Sequence, residues 1–186
     1  MSNQNWLKNY MNLYKETLFD DAVFNDLIKI KDVFINASRN DNKIIFMGNG
    51  GSAAMASHCS VDLTKNAGIR AINFNEADLL TCFSNDYGYD LWSQKALEFY
   101  SKPSDVVVLI SSSGNSMNIV NAANFSKDKK MPTITFTGFD KNNKTKQIGD
   151  INLWVNSKAY NIIEMTHHIW ILSIVDMIIG NAEYSA

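Results

Sequence analysis

Apolar, β-branched runs of strand length alternate with helical patterns along this chain, and nothing else in it restricts the fold as tightly. Strands are predicted at 43–47, 70–74, 105–110, 133–137 and 151–155, and helices at 52–66, 76–83, 88–100, 115–127 and 160–179. Runs that are apolar throughout, as in KIIFM and VVVLI, need cover on both faces, which is the condition of a parallel strand inside a sheet. The expected fold is therefore an α/β three-layer sandwich, a five-stranded, mostly parallel sheet flanked by helices. Two helical stripes precede it, Trp6 to Leu18 and Val23 to Ala37. They define a helical pair over 1–39 leading into an α/β core over 40–186, all one domain. The first stripe holds Trp6, Tyr10 and Tyr14, more apolar surface than a small domain hides in its own core, so the pair is expected to serve oligomerisation.

Composition removes several function classes. A net charge of −2 gives no field to attract nucleic acid. Cys59 and Cys82 lack the spacing of a disulfide or CxxC framework, which points to a reducing, cytoplasmic setting. The opening MSNQNWLKNYMNLYKE is amphipathic and does not read as a secretory leader. The most apolar segment, 162–180, carries Glu164, His167, His168 and Asp176, which argues against a membrane span. The Lys- and Asn-rich stretch 140–147 reads as a solvated loop with a short helix.

Two strand-to-helix turns carry the functional signal. DVVVLISSSGNS (105–116) runs from an apolar strand into Ser111, Ser112, Ser113 and Ser116 just before a helix. Four hydroxyls and the free N–H groups of a helical first turn suit a phosphomonoester. KIIFMGNGGS (43–52) makes the same transition with Asn49, Gly50, Gly51 and Ser52. It has neither the spacing and lysine of a P-loop nor the G-x-G-x-x-G of a dinucleotide fold, so no nucleotide cofactor is predicted. In a doubly wound sheet both turns fall at strand carboxyl ends and face one crevice.

Acid–base and metal candidates lie on two helices. His58 and Asp62 share a helix face, and Glu164 and His168 repeat the spacing on the last helix. The four residues fit either a zinc-type site or acid–base work, and spacing alone leaves both open beside a purely structural role. Of His167 and His168, only one can join a given site, because adjacent helical residues point about 100° apart. Asn85 and Asp86, ahead of Gly88, read either as a turn or cap or as ligand contacts.

GNGGSAAMASH, SNDYGY and ISSSGNS, in this order and spacing, resemble the sugar isomerase (SIS) domain family. Within it they resemble the phosphoheptose isomerases, which convert sedoheptulose 7-phosphate to D-glycero-D-manno-heptose 7-phosphate for bacterial heptose and surface polysaccharide synthesis. The resemblance implies a homotetramer with intersubunit active sites, a phosphate on Ser111, Ser112, Ser113 and Ser116, and substrate contacts from Asn49, Gly50, Gly51, Ser52, Asn85 and Asp86. It implies zinc as cofactor, with His58 on a family metal ligand and Asp62 at the position of the family's base; Glu164 and His168, which complete the candidate ligand set His58, Asp62, Glu164 and His168 and the catalytic group Asp62, Glu164 and His168, rest on the two i,i+4 pairs. Three positions depart from the family pattern. Asp62 stands where the family has glutamate, Ile163 (or Glu164, with the alignment slid by one) where it has glutamine, and Ile171 (or Leu172) where it has a second histidine. The alternative reading is a non-catalytic SIS module that binds a sugar phosphate or a protein partner, or an isomerase of another sugar phosphate.

Overall fold

The structure, a computed structural model, describes residues 1–184. Five parallel strands form one sheet: β1 (Ile44–Gly48), β2 (Ala71–Asn73), β3 (Val106–Ser111), β4 (Thr133–Thr137) and β5 (Ile151–Trp154), in the order β2-β1-β3-β4-β5. Among the described residues eight helices surround it: α1 (Asn3–Leu18), α2 (Asp21–Arg39), α3 (Gly51–Lys65), α4 (Ala77–Tyr87), α5 (Trp92–Tyr100), α6 (Met117–Asp128), α7 (Lys144–Ile148) and α8 (Tyr160–Ile179). The expected three-layer sandwich with two leading helices is the fold observed.

The uninterrupted apolar strands are explained by burial on both faces. Every residue of β1 and β3 is buried, and the register pairs Ile44 with Val106 through Gly48 with Ile110. Ile44, Phe46, Val106, Val108 and Ile110 pack with α2, α3 and α8 through Phe34, Leu63 and Trp170. Their alternates Ile45, Met47, Val107 and Leu109 face α5 and α6 through Trp92, Leu97 and Ile119. Side chains on successive strand residues point to opposite faces, so one sequence run supplies two cores. α8 is long and apolar enough to cross a membrane, but Ile163, Trp170, Ile171, Ile174 and Val175 spend its apolar surface in the first of these cores.

Helix α4 differs from the sequence reading, while α1 leaves its apolar stripe outside the core as expected. α4 continues to Tyr87, so Asn85 and Asp86 sit in its last turn rather than between helices; the break comes at Gly88, whose φ of 84° ends the helix. α1 buries no residue at all. It leans on α8 through Thr17 Oγ1 and Thr166 Oγ1 at 3.0 Å, while Trp6, Leu7, Met11 and Leu13 remain exposed.

Candidate active site at the carboxyl ends of β1 and β3

The strand order reverses direction between β1 and β3, and in such sheets the crevice for ligands opens outside the carboxyl ends at that point. Here the glycine turn leaves β1 and the serine loop leaves β3, side by side. A cavity of ≈ 120 Å³ lies between them, lined by Asn49 and Ser52 from the first turn, Ser111, Ser112, Ser113 and Ser116 from the second, and Tyr160 and Glu164 from α8. The predicted serines therefore converge. Ser112 is 6% exposed and its Oγ has no hydrogen-bond partner among the described residues. A buried hydroxyl left without a partner costs free energy comparable to a lost hydrogen bond, so Ser112, placed in the cavity wall, is a candidate ligand contact. Ser116 is the N-cap of α6 but makes no cap bond, which leaves its hydroxyl and the first-turn N–H groups available to an anion.

The loop is fixed from behind. Ser111 Oγ accepts from Gly114 N at 3.2 Å, and Ser113 Oγ from Asn115 N at 3.2 Å. The stretch 140–147, read as solvated, proves to be part of the support: Asn143 and Thr145 are buried. Gly114 has φ +62° and the Asn143 side chain fills the space its Cβ would need. Asn143 Oδ1 accepts from Lys146 N at 2.9 Å, and its Nδ2 donates to Asp140 O at 2.8 Å. Thr145 N donates to Gly114 O at 2.9 Å and Lys144 N to Asn115 Oδ1 at 3.2 Å. On the other side, Asn49 and the buried Asn118 exchange two amide hydrogen bonds of 2.9 Å, and Asn118 also donates to Ser93 Oγ at 2.9 Å.

α8 carries Tyr160, Glu164 and His168 on one face at successive i, i+4 positions. Glu164 meets the first residue of α3: a Cβ at Gly51 would lie 2.8 Å from Glu164 Cδ. Gly51 thus makes room for a carboxyl rather than lining the cavity, and neither it nor Gly50 belongs to the wall. Burial pushes the Glu164 pKa above the ordinary carboxylate value. Farther along the seam, His168 Nε2 lies 2.9 Å from His58 Nδ1, and His58 Nε2 lies 3.2 Å from Asp62 Oδ2. Burial lowers the His168 pKa and His58 lowers it further, while Asp62 works in the opposite direction. His167 points the other way, fully buried, with Nε2 on Thr137 O at 3.0 Å; burial drives its pKa down to about 4.

The four expected metal ligands do not converge. His58 spends one ring nitrogen on His168 and the other on Asp62, so Asp62, His58 and His168 form a chain, while Glu164 turns to Gly51. Among the described residues no group of three or more His, Cys, Asp or Glu side chains is arranged to hold a metal ion. Tetrahedral coordination needs donors aimed at one point, so the arrangement does not fit a four-ligand zinc site and no step is derived through one. Asn85 and Asp86 are exposed and lie outside the cavity wall; Asn85 Nδ2 donates to Asp86 Oδ1 at 3.0 Å. Sequence reasoning missed Tyr160, Asn118 and Asn143. Only Tyr160 left a signal, standing four residues before Glu164 as Glu164 stands before His168.

Residues 6–138 match the SIS domain family. The chain is 32% identical over 174 residues to phosphoheptose isomerase of Buchnera aphidicola subsp. Schizaphis graminum, covering 91% of this chain and 89% of the relative. It is 35% identical over 152 residues to the phosphoheptose isomerase of Helicobacter pylori strain 26695, covering 78% of this chain and 79% of that one. The solved structure of phosphoheptose isomerase from Neisseria gonorrhoeae superposes with a TM-score of 0.86 at 27% identity, over 95% of this chain and 99% of that chain.

Proposed function

Because this chain belongs to the SIS domain family and, within it, to the phosphoheptose isomerases, we propose that its crevice converts sedoheptulose 7-phosphate to D-glycero-D-manno-heptose 7-phosphate. The observation that carries the reading is the sharing of one cavity by a buried, unpartnered Ser112 hydroxyl and the Glu164 carboxyl. The serine hydroxyls and the α6 N-terminus hold the phosphate, and the sugar lies across Glu164 toward the seam of α3 and α8. Glu164 takes a proton from carbon 1 as its electron pair forms the C1–C2 double bond of an enediol, and returns the proton to carbon 2. A carboxyl with a raised pKa is the stronger base for that transfer. The linked His58 and His168 rings move the hydroxyl proton from the oxygen on carbon 1 to the oxygen on carbon 2, and Asp62 holds His58 in orientation. Incubation of the purified protein with sedoheptulose 7-phosphate, followed for aldose product, tests the reading.

Two observations support assembly as a homotetramer with sites shared between subunits. The Trp6, Leu7 and Met11 face of α1 is exposed, and Asn85 and Asp86 are exposed outside the wall of their own cavity, where a neighbouring copy would meet them. Light scattering on the eluted protein checks the assembly. Free thiols at Cys59 and Cys82 support a cytoplasmic location, and the phosphoheptose isomerase relatives support a role in supplying heptose for a bacterial surface polysaccharide. A sugar-phosphate-binding module without turnover is the second reading, favoured by Ile163 and Ile171. Both are in the core, so neither position offers a polar group to the site. Binding of the sugar phosphate with no aldose formed would select it.

A further inference from the structure

The cavity of ≈ 120 Å³ is large enough for a phosphate group and little more, since pockets that enclose a whole small ligand measure roughly 300 Å³ and upward. A sugar phosphate seated on the serine loop must therefore pass its carbon chain out through the mouth. Tyr160 stands there. It is the first residue of α8, one turn ahead of Glu164 on the same face, and 59% exposed although it lines the cavity. The ring is held in place: Phe139 packs against it with centroids 4.7 Å apart and planes at 87°. Phe139 itself adopts φ +48°, a left-handed conformation that costs an aromatic residue free energy, and is tied there by its N–H to Ser157 O at 3.1 Å. A backbone strained to prop an otherwise exposed tyrosine at a cavity mouth is the pattern expected of a binding surface.

We propose that Tyr160 is a specificity-determining residue whose ring forms an apolar platform for the C–H face of the sugar chain, separating sugar phosphates from free phosphate. The proposal rests on the reading of the crevice as a sugar-phosphate site. An aromatic ring offers a large contact area at low conformational cost, so its removal is expected to weaken the sugar and spare the anion.

Calorimetry with two probes tests this on the full chain: inorganic phosphate, and a heptitol 7-phosphate whose reduced carbonyl prevents turnover. Tyr160→Ala is expected to weaken the heptitol phosphate about tenfold and leave phosphate within about twofold, whereas Tyr160→Phe keeps both within about twofold. An equal loss for both probes in Tyr160→Ala, no loss for either, or a loss in Tyr160→Phe as large as in Tyr160→Ala overturns the platform. Wild-type protein that binds phosphate but not the heptitol phosphate also overturns it. Wild-type protein that binds neither probe overturns the sugar-phosphate reading itself and the platform with it.

Discussion

The carboxyl of Glu164 occupies the space that any side chain at Gly51 would need. One residue opens the helix after β1 and the other lines the cavity from α8, so the glycine turn and the final helix are matched surfaces. Gly51→Ala is expected to displace Glu164 and lower kcat by about 10²-fold, with inorganic phosphate inhibiting as in the wild type. Glu164→Gln should lower kcat by about 10²- to 10⁴-fold with the same unchanged phosphate inhibition. Because burial raises the pKa of Glu164, the rise of kcat/KM with pH should have its midpoint above 4.5, the ordinary carboxylate value. Full turnover by Glu164→Gln removes it from the chemistry.

The 2.9 Å contact between His168 and His58 predicts that the two rings act together. His168→Ala and His58→Ala should each cost about 10²-fold in kcat, and the double variant little more than either alone. Multiplying losses in the double variant would show that the rings work independently.

His167 makes the folded state acid-sensitive. Its pKa is held at about 4 in the fold against 6.5 for a free imidazole, so the unfolded chain takes up a proton that the folded chain refuses. Stability from this residue is complete above about pH 6.5 and falls as pH drops toward 4, by about 3 kcal/mol in all. Urea denaturation at pH 7.5 and 4.5 should show a smaller loss in His167→Gln than in the wild type; equal losses would assign the acid sensitivity elsewhere.

Asn143 connects the β4–β5 segment to the phosphate loop. Asn143→Ala removes the α7 cap and the packing against Gly114, and should cost about 1 kcal/mol of stability. It should also weaken inorganic phosphate binding several-fold. Asn143→Asp keeps the oxygen that accepts from Lys146 N, and should recover most of the affinity. Unchanged phosphate affinity in Asn143→Ala would show that the serine loop holds its shape alone.

The fold was legible where one physical cause dominates. Strands buried on both faces must be apolar throughout, and β3, β4 and β5 were placed to within a residue on that pattern. The apolar pattern predicts α8 over its observed bounds, 160–179, and Gly180 ends it in a left-handed turn. Ser111, Ser112, Ser113 and Ser116 were legible because hydroxyls in sequence at a strand end need few tertiary contacts to converge. Asn143 was not: a polar residue amid lysines looks solvated until Gly114, far away in the chain, leaves a space for it. Asn118 and Tyr160 escaped for the same reason, since their neighbours come from other elements. The relation among His58, Asp62 and His168 was half legible. Their spacing put them on helix faces, but only the packing of α3 on α8 decides that the three form a chain rather than a cluster.

The parallel pairing of β1 with β3 also fixes when the crevice comes into being. Parallel neighbours must be joined by long crossovers, and contacts distant in the chain form late and slowly. The glycine turn is synthesised early but has no opposite wall until β2, α4 and α5 have been made and β3 has docked. Asn49 then finds Asn118, and Glu164 meets Gly51 only when the last helix closes over the sheet. The crevice is thus walled by all three thirds of the chain, through Ser52, Ser112 and Glu164, and a ligand seated in it would bind only a chain whose last helix has docked.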